Sequence, residues 1–174
     1  MAQRPHIDGS ETRKHSFPPV VDAGVRLLVL GSLPGDRSLA EGRYYAHPQN
    51  QFWRLMSAVI DRDLVSLDYD ARLAALLAAH VGLWDVVASA TRPGSTDAAM
   101  RDVAGHDIAA LAATLPQLRT IAFNGGTALR HGMRQLGPAA ADHAIVALPS
   151  SSPLHTVGIT TKLAVWEKLR GHLH

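Results

Sequence analysis

The chain of 174 residues is 47% hydrophobic, carries a formal charge of +2 and contains ten histidines but no cysteine. That length and apolar content suit one domain with a sizeable core, and the absence of thiols excludes disulfides, thiolate nucleophiles, iron–sulfur clusters and cysteine-held zinc. So small a net charge does not distinguish a nucleic-acid partner from an ordinary solvated surface, although the arginines and histidines can set up local positive potential beside an anion.

Residues 1–14 are polar and broken by Pro5 and Gly9, which predicts a flexible tail without the apolar stretch of a secretory signal or membrane span. Residues 15–174 read as a single domain, and the lack of cysteine suits a cytoplasmic setting. The first buried strand is predicted over residues 25–30, and it empties into Gly31-Ser32-Leu33-Pro34-Gly35. Tyr45-Ala46-His47-Pro48-Gln49-Asn50-Gln51-Phe52-Trp53 then crowds aromatic rings, a proline and carboxamides into the lead-in of a helix expected over residues 51–60. A second helix is predicted over residues 70–80, with Leu73, Leu76 and Leu77 on one face, ahead of a strand over residues 81–87. A helix over residues 107–115 stops at Pro116, a third strand follows over residues 119–123, and a helix over residues 127–136 stops at Gly137. The last strand is predicted over residues 144–148. The last helix is expected over about residues 160–173, with Thr160 as N-cap and Leu163, Trp166 and Leu169 facing inward.

Strands alternating with helices imply right-handed crossovers and an α/β fold, a parallel sheet with helices on both faces. Ligands of such sheets bind beyond the carboxyl ends of the strands. That selects the loops over residues 31–50, 85–97, 124–127 and 149–156.

The glycine loop either makes a plain turn or points backbone N–H groups and the Ser32 hydroxyl at a phosphate or a developing negative charge; it lacks the lysine and spacing of a Walker loop. Asn124 precedes Gly125-Gly126 at a strand tip, where it either caps the turn or offers a carboxamide to a base edge. A carboxamide held in one orientation can favour the lactam edge of uracil or hypoxanthine over the reversed edge of cytosine or adenine. The loop Pro149-Ser150-Ser151-Ser152-Pro153-Leu154-His155 is either a polar connection or a set of phosphate contacts with an apolar tip that can enter base stacking. Asp85 can act as a general base, but capping the next segment is the commoner use of such an aspartate. Arg92, Ser95 and Asp97 can contact phosphate or tie down their loop, and Lys162 reads as a phosphate contact or a plain surface charge. No histidine or carboxylate set has metal-ligand spacing, so no metal and no other cofactor is expected.

Taken in order, His15-Ser16-Phe17-Pro18-Pro19, Gly31-Ser32-Leu33-Pro34-Gly35, residues 44–53, Gly82-Leu83-Trp84-Asp85-Val86, Gly94-Ser95-Thr96-Asp97, Phe123-Asn124-Gly125 and residues 148–153 resemble the uracil-DNA glycosylase superfamily, most of all its hypoxanthine-DNA glycosylase branch. The resemblance covers nearly the whole chain from His15 onward. It implies a three-layer α/β/α sandwich on a four-stranded parallel sheet and monofunctional removal of a deaminated base from double-stranded DNA by a monomer, after the nucleotide is turned out of the duplex. It implies that Asn124 hydrogen-bonds the extruded base, that Tyr45 stacks on it, and that Gly31 lies beside it. In uracil-directed branches a water-activating Asp or Asn lies in the first glycine loop, where this chain has Ser32; the hypoxanthine branch implies Asn50 as the water-holding residue instead. Ser150, Ser151, Ser152, Pro153 and Leu154 match the element that presses into the minor groove. His155 is displaced from the position of the leaving-group histidine of uracil-specific relatives, so that role is not carried over. The competing readings are a hydrolase or transferase of free nucleosides or nucleotides, and a DNA module that binds damage without cutting the glycosidic bond.

Overall fold

The computed structural model describes residues 12–174. In chain order the elements are β1 (Arg13–His15), β2 (Leu27–Gly31), α1 (Asp36–Glu41), α2 (Phe52–Ile60), α3 (Tyr69–Ala78), β3 (Val81–Asp85), β4 (Val87–Thr91), β5 (Arg101–Gly105), α4 (Ile108–Ala113), β6 (Thr120–Asn124), α5 (Gly126–Leu136), β7 (Ala144–Leu148) and α6 (Ile159–Trp166). The last helix continues as a 3-10 segment over Glu167–His172.

Four strands form the parallel sheet in the order β3-β2-β6-β7. Every residue of β2 is buried, because helices cover both of its faces. Leu27 and Val29 pack with Phe52, Leu55, Met56 and Trp166, while Leu28 and Leu30 pack with Ile108, Ala112, Ala128 and Leu136. Side chains alternate between the faces of a strand, so apolar demand on both faces turns the usual alternation into a continuous hydrophobic run. The fold is the expected α/β sandwich. No helix among the described residues is long and apolar enough to cross a membrane.

The predicted strand over residues 81–87 is two elements. Val86 N–H still reaches the Gly31 carbonyl at 2.8 Å and Val87 N–H the Ser32 carbonyl at 3.0 Å. Beyond Ser32 the neighbouring chain turns through Pro34 into α1, an element that lies within the segment read as a loop. With no strand left to follow, β4 departs and pairs antiparallel with β1 and β5 in a second sheet. That sheet takes up Arg13 and Lys14, which the sequence places in the flexible tail; residues 1–11 of that tail lie outside the described residues. Thr160 is not the N-cap of α6 either. The helix begins one residue earlier, and Gly158, with extended backbone, holds the cap position without a side-chain hydrogen bond.

Helix α5 lies close on β6 because residue 132 lacks a side chain: a Cβ on Gly132 would overlap the Phe123 ring, which is fully buried. Alanine would gain about 1 kcal/mol of helix propensity, but overpacking a tight core costs about 1–3 kcal/mol, and here an aromatic ring between sheet and helix must move. Gly132→Ala should therefore lower the unfolding free energy by about 1–2 kcal/mol, measured by urea denaturation. A variant as stable as the parent would show that the helix lifts off the sheet at no cost.

Candidate active site

The register that builds the sheet also builds the site. Gly31 lies opposite Asp85, Leu30 opposite Phe123, and Asn124 opposite Leu148. Asp85, Gly31 and Asn124 thus form one row across the carboxyl edge, on the face covered by α2. Adjacent strands are about 4.8 Å apart, so the backbones of Asp85 and Asn124 stand roughly 10 Å from each other across a glycine. The gap between them is filled. A Cβ on Gly31 would lie 2.7 Å from Asp85 Oδ1 and 3.0 Å from Tyr45 Oη, so a larger residue there would displace both.

Tyr45 has a left-handed backbone, φ 53°, a conformation that costs a non-glycine residue about 1 kcal/mol or more. Face-to-face stacking on Phe52, with centroids 3.8 Å apart, holds it there. One ring face is therefore covered. Burial pushes the hydroxyl pKa well up, with the Asp85 charge adding to the rise, so Tyr45 remains a neutral phenol.

Asn124 is locked at three points. Its Oδ1 accepts from Ser151 N–H at 2.8 Å, while Nδ2 donates to Ser151 Oγ at 2.9 Å and to Tyr45 Oη at 3.3 Å. Both amide protons are engaged, and one lone pair of Oδ1 is left over. Asn50 is also held: its Oδ1 accepts the Phe52 N–H at 3.0 Å, at the start of α2. Next to it, Gln51 N–H donates to the Ser151 carbonyl at 3.0 Å.

The Ser32 hydroxyl, a candidate catalytic group by sequence, donates to Asp97 at 2.8 Å. Arg92 Nη1 lies 3.8 Å from the same carboxylate, and the Arg92 guanidinium donates to the carbonyls of Gly94, Leu33 and Pro34. Because Arg92 is only 1% exposed, it ties down its loop and has no reach to a phosphate. Burial pushes the Asp97 pKa up, and the Ser32 hydrogen bond and Arg92 oppose the rise.

Ser150, Ser152, Pro153 and Leu154 line the mouth of the site, and Leu154 at the tip is 64% exposed. Ser151 lines the same cavity from a buried position. It is 1% exposed and spends its polar groups on Asn124 and Gln51, which corrects its assignment to the DNA-contacting set. Lys162 is no surface charge: it is 1% exposed, its Nζ donates to the Ser152 carbonyl at 3.3 Å, and it supports the serine loop from beneath.

Asp85 is the group that sequence reasoning undervalued. Among the described residues it caps nothing and its Oδ2 has no hydrogen-bond partner; it is 3% exposed. Burial pushes its pKa up to about 7, the Asp97 carboxylate adds to the rise, and Arg92 opposes it. The available signal was an acid closing the apolar strand Val81-Gly82-Leu83-Trp84-Asp85 at the edge where ligands bind.

Asp85, Gly31, Ser32, Tyr45, Asn50 and Asn124 line one cavity of about 440 Å³, together with the serine loop. That volume is in the range of small-ligand sites. A pocket at the carboxyl edge of a parallel sheet, with two fixed carboxamides and an aromatic ring lining it, has the form of a small-ligand site of an α/β enzyme. The comparisons with known proteins specify which. The uracil DNA glycosylase superfamily model matches residues 18–170, and the chain belongs to that superfamily. It is 35% identical over 161 residues to a hypoxanthine DNA glycosylase of Methanosarcina acetivorans, covering 91% of this chain and 99% of the relative. It is 42% identical over 113 residues to a hypoxanthine DNA glycosylase of Methanosarcina barkeri, covering 65% of this chain and 72% of the relative. A solution NMR structure from Methanosarcina acetivorans, described provisionally as a uracil DNA glycosylase, superposes with a TM-score of 0.81 at 35% identity over 93% of this chain and 99% of that one. The resemblance to the hypoxanthine branch agrees with these relatives. The protein is a DNA glycosylase, a hydrolase of N-glycosyl bonds.

The Asp85 pKa has a consequence for stability. Its folded value is raised above the ordinary 3.8, so folding takes up a proton between that value and about 7. The stability held by the neutral acid is complete below the lower value and lost as pH rises through the upper one. Asp85→Asn cannot ionise, so its stability relative to the parent should improve from pH 5 to pH 8 by roughly 2–4 kcal/mol, measured by denaturation at both pH values. A constant difference would mean that the carboxyl ionises freely in the folded protein.

Proposed function

We propose that the protein excises deaminated bases from double-stranded DNA, hypoxanthine in preference to uracil or xanthine, acting as a monomer on a nucleotide turned out of the helix. The observation that carries this reading is the locked carboxamide of Asn124. With both amide protons engaged inside the protein, what it offers a base is the free lone pair of Oδ1. That lone pair accepts from the lactam N–H of hypoxanthine or uracil. Adenine and cytosine present a ring nitrogen lone pair at the same place, and facing two acceptors forfeits a hydrogen bond, a penalty of about 1–3 kcal/mol.

In this reading the open face of Tyr45 stacks on the base, and Gly31 lets the ring approach the sheet edge. Asn50 holds the attacking water through the Oδ1 lone pair that Phe52 does not use. An amide has no useful pKa, so its contribution is orientation of the water toward the anomeric carbon. The C1′–N bond breaks with its electron pair passing to the base, the water oxygen joins C1′, and the water proton goes to solvent. Backbone N–H groups of the Gly31–Ser32 turn face the growing negative charge, each such donor being worth about 3 kcal/mol. Ser150, Ser152, Pro153 and Leu154 contact the DNA, with Leu154 entering the gap left by the extruded nucleotide. Extrusion costs a few kcal/mol and is easiest at an unstable mismatch, which contributes selectivity before chemistry starts.

The test is excision from duplex oligonucleotides carrying hypoxanthine, uracil or xanthine, with alkali cleavage to reveal abasic sites. Hypoxanthine should be released fastest, with no strand break before alkali. Asn50→Ala should lower the single-turnover rate about 100-fold or more while DNA affinity changes little. Lesion binding without abasic product would select the non-catalytic reading, and cleavage of free inosine without action on DNA would select the nucleoside hydrolase.

A further inference from the structure

Helix α6 holds the serine loop from beneath at two points. Trp166 Nε1 donates to the Pro149 carbonyl at 2.9 Å, and Lys162 Nζ donates to the Ser152 carbonyl at 3.3 Å. The two donors are spaced i, i+4 along α6, so they rise from one face of the helix, and both side chains are buried. The exposed tip begins where this grip ends. His155 N–H closes a turn on the same Ser152 carbonyl at 3.1 Å, and Leu154 N–H donates to Ser152 Oγ at 3.2 Å. Residues 153–158 are all exposed.

Lysine is a costly choice for position 162. Its side chain is 1% exposed, no carboxylate lies within ion-pair distance of it among the described residues, and it stands near the N-terminus of α6, where backbone N–H groups already present positive charge. Burial pushes its pKa down. A methionine has a similar length without the cost of a buried charge, so packing does not account for the lysine. What the lysine adds is a charged donor to a carbonyl, a stronger bond than a neutral one, at the last tie between the tip and the core.

We propose that Lys162 is a positioning residue for nucleotide extrusion: through the Ser152 carbonyl it fixes the turn that drives Leu154 into the duplex. This inference rests on the glycosylase reading and deepens it. An apolar wedge works against base stacking, and an equal load falls on the turn that carries the wedge. Without the tie at Ser152 the turn yields instead of the stack, and extrusion loses its drive. Lys162 does not itself line the cavity, so bond cleavage after extrusion proceeds without it.

The experiment measures single-turnover release of hypoxanthine from two duplexes, one with cytosine opposite the lesion and one with an abasic gap opposite it, where no pair resists extrusion. Lys162→Met should slow release from the paired duplex about tenfold or more, and stay within about threefold of the parent on the gapped one. Leu154→Ala should slow the paired duplex as well, and the double variant should be no slower than the slower single one, because a tie without a wedge has nothing to hold. Equal losses from Lys162→Met on the two duplexes would reduce Lys162 to a structural residue and overturn the proposal. Losses that multiply in the double variant would show that Lys162 acts apart from Leu154 and overturn it too, as would a rate unchanged on both duplexes. If Lys162→Met does not fold, Lys162→Gln, whose amide stops one bond short of the ammonium, takes its place with the same expectations. A parent that releases no hypoxanthine from either duplex removes the glycosylase reading and this inference with it; an active parent with any of the contrary variant results removes this inference alone.

Discussion

Ser151 ties together three pieces of chain that arrive at the site from different directions. Its N–H and Oγ hold the Asn124 carboxamide at the tip of β6, and its carbonyl accepts from Gln51 at the entrance to α2. It stands itself in the loop after β7. A single hydrogen bond of this kind contributes only about 1 kcal/mol net, but a buried amide left without its partner costs about 1–3 kcal/mol. Neither Asn124 nor the segment carrying Asn50 can therefore move without disturbing the other. The carboxamides of Asn124 and Asn50 are kept in register by a residue that is itself buried.

The other flank of the cavity is organised by charge. Arg92 is buried against the carbonyls of Leu33, Pro34 and Gly94 and beside Asp97, which in turn accepts from Ser32. This cluster fixes the turn that follows β2. A buried cation is tolerable there because its donors meet carbonyl oxygens and a carboxylate lies close by. Asp97 is thus already engaged, and Asp85 is left without a compensating partner of its own. Low dielectric acts on that remaining carboxyl by favouring its neutral form. The same arrangement that makes the turn rigid leaves a buried carboxyl lining the site.

What could be read from the sequence follows from what each segment must bury. The strands of the parallel sheet were legible as short apolar runs, since β2 and β6 are covered on both faces and little else produces such runs. By contrast, β5 has the sequence Arg101-Asp102-Val103-Ala104-Gly105 and is exposed along its whole length. It is held by backbone pairing with β4 and carries no hydrophobic pattern to betray it. Asn124 stands out as an amide at a strand tip, and Tyr45 and Asn50 as a ring and an amide in the lead-in to α2. Serines 150 to 152 are alike in sequence; only the burial of Ser151 separates the internal tie from its neighbours. Asp85 was visible but ambiguous, because whether an aspartate after a strand caps a turn or lines a cavity depends on the register of β2 against β3, a tertiary fact.

In the proposed reaction the distribution of chemical labour follows from the choice of an amide to hold the water. A carboxylate in that place would help strip the water of a proton and would offer negative charge to the sugar as positive charge grows on it; Asn50 can do neither. Catalysis must then depend more heavily on the other end of the breaking bond, where charge accumulates on the base. A pocket with a carboxamide that accepts from the base on one side therefore gains most from a donor on the other. The register across Asp85, Gly31 and Asn124 raises two polar side chains on one face of the sheet, and the missing side chain of Gly31 leaves room between them for the Asp85 carboxyl and the Tyr45 hydroxyl.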